Sequence, residues 1–351
     1  MAFTVLNVAF PFARVAKDTA GGAEHVLLAL DHALVASGHR SMVLAPAGSE
    51  VEGHLLEGLP VPHVINDEAR AAAHSHYSEA LDKVRLGNVD LVHLHGIDFL
   101  DYLPGEGVPV VATMHLPLNL YPQEAFRLGR PGTHLVCVSQ SQAQTCPSGC
   151  RVSAVVPNGV WLDDFYPDSR KEDYVVALGR LCPEKAFHLA LDASSAAGVP
   201  LVLAGETYAY PAHQQSFREA IQPRLRSPHR FVGRVGGEAK RTLLARARAL
   251  LVSSQIAETS SLVAMEAMAC GTPVIAFRSG ALPEIVDHGR TGFLVNSVDE
   301  MADAIGRAAD LDTALCRRLA EERFSAQRMT ERYFELYRVA IEKGSVHHVT
   351  R

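Results

Sequence analysis

Short apolar runs of strand length alternate with helical segments along almost the whole chain, and this alternation constrains the fold more than any other feature. The runs are nearly continuous in apolar character, which is typical of parallel strands that are covered on both faces. The sequence therefore predicts an α/β fold with parallel sheets. In the first half the predicted strands are Val5–Phe10, Ser41–Ala45, Asp90–His95, Val108–His115 and His134–Ser139, with a helix over Gly21–Gly38.

The alternation restarts after a polar, proline-containing segment at Asp163–Asp173, which indicates a second domain. A chain of 351 residues that is 48% hydrophobic is long enough for two cores. We predict domains at 1–165 and 166–330, and a C-terminal helix within 331–351 that crosses back onto the first domain. The predicted strands of the second half are Tyr174–Leu178, Pro200–Ala204, Arg230–Val232, Ala249–Ser253, Pro273–Phe277 and Gly292–Val295, and the helices are Glu184–Gly198, Gly237–Ala247, Ser260–Cys270 and Val298–Ala309.

The charge is divided unevenly between the two halves. Residues 1–165 carry 9 Lys+Arg and 17 Asp+Glu, a net charge of −8, and residues 166–351 carry the remaining 24 and 22, a net charge of +2. An acidic first half argues against nucleic acid or an anionic membrane as its partner. We therefore expect an anionic ligand to bind the second half.

The six cysteines are dispersed and lie mostly in apolar segments, which favours buried thiols in a reducing cytoplasm. Cys146 and Cys150 form a C-x-x-x-C pair, but no second Cys or His pair follows at zinc spacing, so no metal site is predicted. The apolar runs fall far short of the ~20 residues of a membrane span. The N-terminus is interpreted as having no signal peptide. A cytoplasmic protein without stable membrane insertion is therefore expected.

The strongest local motif extends from Glu258 to Leu294 and begins E-T-S-S-L-V-A-M-E. Its residues Thr259–Ser261 are of the kind that caps helices, and a helix start attracts phosphate. Glu266 follows inside the predicted helix, where a carboxylate accepts two hydrogen bonds from vicinal hydroxyls such as those of ribose. The alternative is a capped core helix with two surface glutamates. The apolar neighbours of Glu266 disfavour a surface position and leave it few partners except a ligand.

Two further loops follow predicted strands. Arg180 and Lys185 lie just after one strand, where a guanidinium and an ammonium bind phosphate oxygens. By spacing alone, a solvated basic loop is the favoured explanation of these two residues. Gly21 and Gly22 begin the first helix and let a backbone approach a ligand closely. They do not form a G-x-G-x-x-G fingerprint, and an ordinary strand-to-helix loop remains the alternative.

Three histidines lie at strand ends. His93 and His95 share one strand face, which permits a metal site, but no third ligand is apparent. Hydrogen-bonded strand-end histidines are the simpler interpretation of this pair. His115 ends another strand and is the better candidate for contact with a ligand.

Taken together, these residues resemble the retaining glycosyltransferases of family 4, and the resemblance covers nearly the whole chain. It implies the GT-B fold, in which two Rossmann-like, doubly wound domains face each other across a cleft. The motifs that carry it are G-G-A-E at Gly21–Glu24, V-H-L-H-G at Val92–Gly96, T-M-H at Thr113–His115, V-S-Q-S at Val138–Ser141, V-P-N-G-V at Val156–Val160, L-G-R-x4-K at Leu178–Lys185, L-A-G-E at Leu203–Glu206, F-V-G-R-V at Phe231–Val235, and the two glutamates of the E-x7-E block.

The resemblance also implies roles for individual residues. Arg180 and Lys185 would neutralise a donor diphosphate, Glu266 would hold the ribose, and Glu258 would meet the transferred sugar. His115 would lie close to the reacting carbon. The implied donor-binding residues are Gly21, Gly22, Arg180, Lys185, Arg234, Val235, Glu258, Thr259, Ser260, Ser261, Leu262, Val263 and Glu266. The implied acceptor-binding residues are His95, His115, Ser139 and Asn158, and the implied catalytic residues are His115, Glu258, Arg180 and Lys185.

The implied reaction transfers a sugar from a nucleotide sugar to a carbohydrate or small-molecule acceptor, with no cofactor and no metal. The leaving phosphate helps to deprotonate the acceptor on the same face of the sugar, and cations stabilise the charge that develops on it. Two positions depart from the family pattern. Ser260-Ser261 replaces the usual Phe-Gly, which leaves the donor sugar open, and Ala186 replaces the usual glycine after the lysine.

Two other functions fit the same fold. A nucleotide-sugar epimerase would need acid and base groups for chemistry at C2, and no second carboxylate cluster suits that role. A nucleotide- or carbohydrate-binding protein without catalysis would not need Glu258, Glu266, Arg180 and Lys185 together. Residues 67–85, which we expect to border the acceptor, carry no basic stripe, and this favours a soluble acceptor.

Overall fold

The computed structural model describes residues 2–19, 21–84, 88–168, 170–207 and 210–349, and the side chains as far as residue 343. The chain divides into two compact units, Met1–Pro157 with Gln327–Arg351, and Asn158–Ala326. The predicted tail at 331–351 lies within the segment that joins the first unit.

The division falls a few residues before the junction predicted at 165/166. Segment 158–165 clusters with the second unit because its backbone and side chains are held there. Arg317 Nη1 donates to the carbonyl oxygens of Leu162 and Phe165, and both of these side chains pack on the second core. Val160 also forms an isolated parallel bridge with Ser325.

The first unit contains a seven-stranded parallel sheet in the order β3-β2-β1-β4-β5-β6-β7. Its strands are β1 Thr4–Val8, β2 Arg40–Ala45, β3 His54–Glu57, β4 Leu91–Leu94, β5 Val110–Met114, β6 Thr133–Cys137 and β7 Val152–Val155. Its helices are α1 Gly22–Ala36, α2 Asp67–Lys83 and α3 Gln140–Gln144, with short 3₁₀ helices at Phe99–Tyr102, Leu118–Leu120 and Gln123–Phe126.

The second unit contains a six-stranded parallel sheet in the order β10-β9-β8-β11-β12-β13. Its strands are β8 Val175–Arg180, β9 Leu201–Glu206, β10 Arg230–Phe231, β11 Ala249–Val252, β12 Val274–Phe277 and β13 Gly292–Val295. Its helices are α4 Phe187–Ala196, α5 Pro211–Ser216, α6 Gly237–Arg246, α7 Leu262–Ala269, α8 Leu282–Ile285, α9 Val298–Arg307 and α10 Thr313–Arg323. The predicted α/β fold with two doubly wound domains is confirmed in both sheets.

The last helix, α11 at Ala326–Val349, is fixed to the first sheet by two buried tyrosines. The hydroxyl of Tyr337 lies 2.7 Å from Nδ1 of His93 on β4, and that of Tyr333 lies 3.0 Å from Oγ1 of Thr113 on β5. Both rings are fully buried. Burial of two aromatic rings of this size stabilises the packing of the helix by several kcal/mol, roughly 2–3 for each ring.

Two strands, β3 and β7, have no counterpart in the sequence prediction. Each lies at an edge of the first sheet, has only four residues, and is intermediate or exposed in burial. An edge strand with one face toward solvent does not need the continuous apolar run that marked the central strands. The apolar criterion therefore found the centre of the sheet and missed its edges.

Four cysteines, Cys137, Cys182, Cys270 and Cys316, are buried free thiols. Cys146 and Cys150 are joined by a disulfide in the turn after α3, which the sequence pattern did not predict. Within the part of the chain that the structure describes, no helix has the length and apolar character of a membrane span.

Candidate functional site

In the second unit the candidate donor residues gather at a topological switch point. The chain runs from β8 to β9 on one side, and β11 lies on the other side of β8. Loops after adjacent strands on either side of such a point diverge and leave a crevice at the carboxyl edge of the sheet. Arg180 is the last residue of β8, Lys185 lies in the turn that follows it, and Glu258 lies in the loop after β11. The fold therefore brings these predicted residues to one edge of the sheet.

Lys185 and Glu258 form an ion pair at this edge, with Nζ 2.5 Å from Oε1. The hydroxyl of Ser254 donates to the same carboxylate oxygen. The Lys185 side chain is 25% exposed and that of Glu258 is 10% exposed, so the pair is only partly screened by water. The two residues that were assigned to the diphosphate and the sugar are therefore in direct contact.

The turn that carries Lys185 is a 3₁₀ helix at Pro183–Lys185, and it ends on Ala186 with φ 46° and ψ 42°. A residue with a Cβ pays roughly 1 kcal/mol or more to adopt this left-handed conformation. The family usually has glycine here, and the backbone explains that preference. Ser253 Oγ donates to the carbonyl oxygen of Lys185 at 2.8 Å, and this bond fixes the turn to the end of β11.

Arg180 is exposed at the end of β8, whereas Lys185 is largely enclosed. Arg234, assigned by resemblance to the region of the base, is 46% exposed and lies 3.8 Å from a carboxylate oxygen of Glu206 at the end of β9. Val235 follows it just before α6. The cations of this edge therefore differ in burial, and Lys185 is the most enclosed of the three.

Helix α7 begins at Leu262 with Ser261 at its N-cap, with φ −143° and ψ 89° and no side-chain cap bond. The Oγ of Ser260 is buried without a partner among the described residues, so the predicted capping role is wrong for these two serines. The loop before α7 is packed tightly. Gly280, with φ +54°, lies so close that a Cβ on it would meet the carbonyl oxygen of Glu258 at 2.2 Å.

Glu266 is paired with a residue that the sequence analysis missed. Lys240 on α6 places Nζ 2.6 Å from Oε1 of Glu266, and the side chains are 18% and 7% exposed. The expectation that a ligand would be nearly its sole partner is therefore wrong. Oε2 of Glu266 is nevertheless buried with no hydrogen-bond partner among the described residues, and so is Oγ of Ser260. A buried oxygen without a partner costs free energy that a ligand hydroxyl recovers.

In the first unit, α1 begins at Gly22 directly after Gly21. Gly21 is approached by a side chain of its own helix, because a Cβ at this position would lie 1.7 Å from Oε2 of Glu24. Glu24 is buried in the first turn. Gly21 therefore makes room for the Glu24 carboxylate at the helix start, which explains G-G-A-E without a ligand at Gly21 itself.

The histidines form two hydrogen-bonded groups. His93 has both ring nitrogens occupied, Nδ1 by Tyr337 and Nε2 by Thr113, each at 2.7 Å. His95 lies between His115, at 3.1 Å from its Nδ1, and an amide oxygen of Asn7, at 3.4 Å from its Nε2. His95 is only 3% exposed, so its contact with an external molecule passes through His115, which is partly exposed.

Burial holds all three rings in the neutral form. It lowers the pKa of His115 to about 4, and the pKa values of His93 and His95 lie well below their usual range because of burial and the neighbouring histidines. A histidine whose pKa is lower in the folded than in the unfolded protein contributes to the free energy of unfolding. This contribution is complete above about pH 6.5, the pKa of an unfolded histidine, and it is lost as the pH falls below that value.

We therefore expect acid to destabilise the first unit before its carboxylates titrate. For each such histidine, the free energy of unfolding is lower by up to about 1.4 kcal/mol at pH 5.5 than at pH 7.5. His93→Gln removes one of these groups, so its loss of unfolding free energy over this range is expected to be about 1 kcal/mol smaller than that of the wild type. Urea unfolding at both pH values measures the difference, and an equal loss in both proteins contradicts the assignment.

Two residues assigned to the acceptor, Ser139 and Asn158, are buried. Ser139 is buried and caps α3, where its hydroxyl accepts from the backbone N–H of Gln142 at 3.1 Å. Asn158 is 5% exposed and belongs to the second unit, so the structure does not group it with the other predicted acceptor residues. Its Oδ1 has no hydrogen-bond partner among the described residues.

No group of three or more potential metal ligands occurs within the described ranges.

One of the two groups of missed residues had a signal in the sequence. Ser253 and Ser254 follow an apolar strand directly, which is the position where polar side chains reach the carboxyl edge of a sheet. Lys240 had no comparable signal, since a lysine in the helix Gly237–Arg246 looks like a solvent-facing residue until its partner is known.

Comparison with known proteins identifies the family of the chain. Residues 20–164 match the model of the family described as Glycosyltransferase Family 4, and residues 172–310 match that described as Glycosyl transferases group 1. Each of the two units has a doubly wound parallel sheet, a type of fold that binds ligands at the carboxyl ends of its strands. The chain belongs to the family 4, group 1 glycosyltransferases, which have the GT-B fold.

Similar proteins support this placement. The chain is 33% identical over 215 residues to a D-inositol 3-phosphate glycosyltransferase of Saccharomonospora viridis, which is 53% of this chain and 50% of that protein. It is 27% identical over 346 residues to a phosphatidyl-myo-inositol mannosyltransferase of Mycobacterium tuberculosis, which is 88% of each. The crystal structure of AviGT4, a glycosyltransferase involved in avilamycin A biosynthesis, matches 97% of this chain and 98% of its own with a TM-score of 0.72 and 25% identity.

Proposed function

We propose that this protein transfers a sugar from a nucleoside diphosphate sugar to a hydroxyl group of a small-molecule or carbohydrate acceptor, with retention of configuration and without a metal ion. The observation that carries the proposal is Oε2 of Glu266, a buried carboxylate oxygen with no partner among the described residues. A ribose supplies two adjacent hydroxyls that satisfy such an oxygen.

The two cations that follow the apolar part of β8 suit a diphosphate. Arg180 has the fork geometry that binds two phosphate oxygens, and Lys185 supplies a point charge. In the described conformation Lys185 is paired with Glu258, so the ion pair rearranges when a more highly charged diphosphate enters. Glu258 is then released toward the sugar that is bonded to that phosphate. The two groups therefore sit on either side of the bond that breaks.

The remaining chemistry is positioning and charge stabilisation. Negative charge develops on the leaving phosphate, where Arg180, Lys185 and backbone N–H groups stabilise it. That phosphate takes the acceptor proton on the same face of the sugar, which gives retention. In the first unit His115 is neutral at pH 7 and orients a hydroxyl group by hydrogen bonding.

Inositol-based acceptors are the first class to test. Two of the similar proteins are named for inositol acceptors, a free phosphate ester in one and a phosphatidyl lipid in the other. Helix α2 has acidic residues in its first turn and one lysine in its last, without a basic face that would favour an anionic membrane. We therefore place the acceptor among soluble polyols and sugars. The proposed setting is the cytoplasm, which the four buried free thiols favour, whereas the Cys146–Cys150 disulfide is more usual in an oxidising compartment.

Nucleoside diphosphates are expected to raise the unfolding temperature, because a ligand at 100 times its dissociation constant adds roughly 2.7 kcal/mol of stability. UDP, GDP and ADP tested side by side identify the base. Sugar transfer from the matching donor to an acceptor panel then tests the reaction, and the anomeric configuration of the product tests retention. A donor that is turned over without any acceptor to give an epimer supports an epimerase, and binding without turnover supports a non-catalytic protein.

Activity is expected to survive excess EDTA, because Arg180 and Lys185 supply the positive charge that a metal would otherwise bring. The measurement compares initial rates before and after chelation and again with added Mg²⁺ or Mn²⁺. A loss on chelation that either ion restores contradicts the assignment of charge neutralisation to these two side chains.

A further inference from the structure

Lys240 and Glu266 form an ion pair in the interior of the second unit. The two atoms are 2.6 Å apart, and the side chains are 18% and 7% exposed. The ammonium group also lies 5.5 Å from the ring centroid of Phe165. A pair as enclosed as this is held in one geometry, since the aromatic ring and the carboxylate constrain the ammonium from two sides.

The pair is unequal in its hydrogen bonding. Oε1 of Glu266 accepts from Lys240, whereas Oε2 is buried without a partner among the described residues. The next basic residue of α6, Arg241, does not compensate, because it bonds to Glu238 and lies 3.8 Å over the ring of Tyr166. A pair that served stability alone would gain by satisfying both oxygens.

We propose that Lys240 is a positioning residue, which holds Glu266 by one oxygen and thereby directs the other toward the ribose of the bound nucleotide. The inference rests on the proposed function, because it takes Glu266 as the ribose-binding group. Without the ammonium, the carboxylate rotates among alternative rotamers and its free oxygen is no longer fixed. Lys240 therefore sets the preference for ribonucleotides without touching the sugar that is transferred.

The test compares ribose with 2′-deoxyribose ligands, because a loss of fold does not change their ratio selectively. The probe is whichever of UDP, GDP and ADP binds the wild type most tightly, together with its 2′-deoxy counterpart, measured by calorimetry. Lys240→Met is expected to weaken binding of the ribonucleotide by about 10–50-fold and that of the deoxynucleotide by less than about 3-fold. Lys240→Arg keeps the charge and is expected to stay within about 5-fold of the wild type.

Three further proteins complete the experiment. Lys240→Met combined with Glu266→Gln removes both charges and is expected to bind no more weakly than Glu266→Gln alone, because the two residues act as one unit. Lys171→Met is the matched control, since the ammonium group of Lys171 is also hydrogen-bonded within this unit but to Ala245 O and Thr272 Oγ1 rather than to Glu266. It is expected to leave the ribose preference unchanged.

The outcomes separate the two claims. The positioning role alone is overturned if the wild type prefers the ribonucleotide and Lys240→Met keeps this preference. It is also overturned if Lys240→Met binds both nucleotides more weakly by the same factor. An additive double variant overturns it as well. A wild type without any ribose preference overturns the proposed role of Glu266 and the inference with it.

Discussion

Replacing Lys185 by methionine is expected to lower kcat by about 10²–10³-fold, the cost of removing one preorganised group that stabilises developing charge. The leaving diphosphate loses the more enclosed of its two cations. Glu258 also loses its ion-pair partner and keeps only the bond from Ser254. A partly buried carboxylate without a cation next to an anionic leaving group raises the barrier further.

The matched variants distinguish chemistry from folding. Lys185→Arg keeps the charge but not the shape, so it is expected to recover part of the rate. Arg180→Ala removes the exposed cation and is expected to weaken nucleoside diphosphate binding by about 1.5–3 kcal/mol. If Lys185→Met leaves both kcat and nucleotide affinity unchanged in a folded protein, the diphosphate binds elsewhere and the donor site is wrongly placed.

The central architecture followed from the sequence because buried parallel strands appear as continuous apolar runs. Every strand that lies between two neighbours in the second sheet appeared as a short apolar run, and the predicted bounds of β13 are those observed. The edge strands β3 and β7 lack such a run because they are only partly buried, whereas the edge strand β13 is buried and was found. The domain boundary was displaced for a different reason. The carbonyls of Leu162 and Phe165 are held by Arg317, a contact across more than 150 positions that no local pattern reveals.

The candidate site was predictable in its residue types and not in its pairing. Strand ends, and two glutamates with seven residues between them, identified Arg180, Lys185, Glu258 and Glu266. Which cation meets which carboxylate depends on helix and loop packing. Lys185 pairs with Glu258 and Lys240 with Glu266, so each carboxylate already has a cation. A ligand therefore binds either by replacing one partner of an ion pair or by donating to Oε2 of Glu266, which has no partner among the described residues. The capping role of Ser261 failed because propensity does not fix a backbone angle.

The two glutamates are expected to respond oppositely to the same substitution. Glu266→Gln keeps the volume and one acceptor but loses the charge that meets the ribose, so it is expected to bind nucleoside diphosphates more weakly by about 1–3 kcal/mol. It is also expected to lose its preference for ribose over 2′-deoxyribose, because the hydroxyl contact is what discriminates. Glu258→Gln is expected to lower kcat by about 10²-fold, since this carboxylate meets the transferred sugar.

The ion pair sharpens the contrast for nucleotide affinity. In the wild type a diphosphate must compete with Glu258 for the charge of Lys185, whose ammonium lies 2.5 Å from the carboxylate. Glu258→Gln removes the competing charge, so nucleoside diphosphate affinity is expected to stay constant or to rise while turnover falls. Calorimetry and initial rates for both variants measure the two quantities separately. If Glu258→Gln loses nucleotide binding and Glu266→Gln loses only turnover, the two roles are reversed. If both variants behave like the wild type, the two glutamates are structural and the glycosyl-transfer proposal loses its main support.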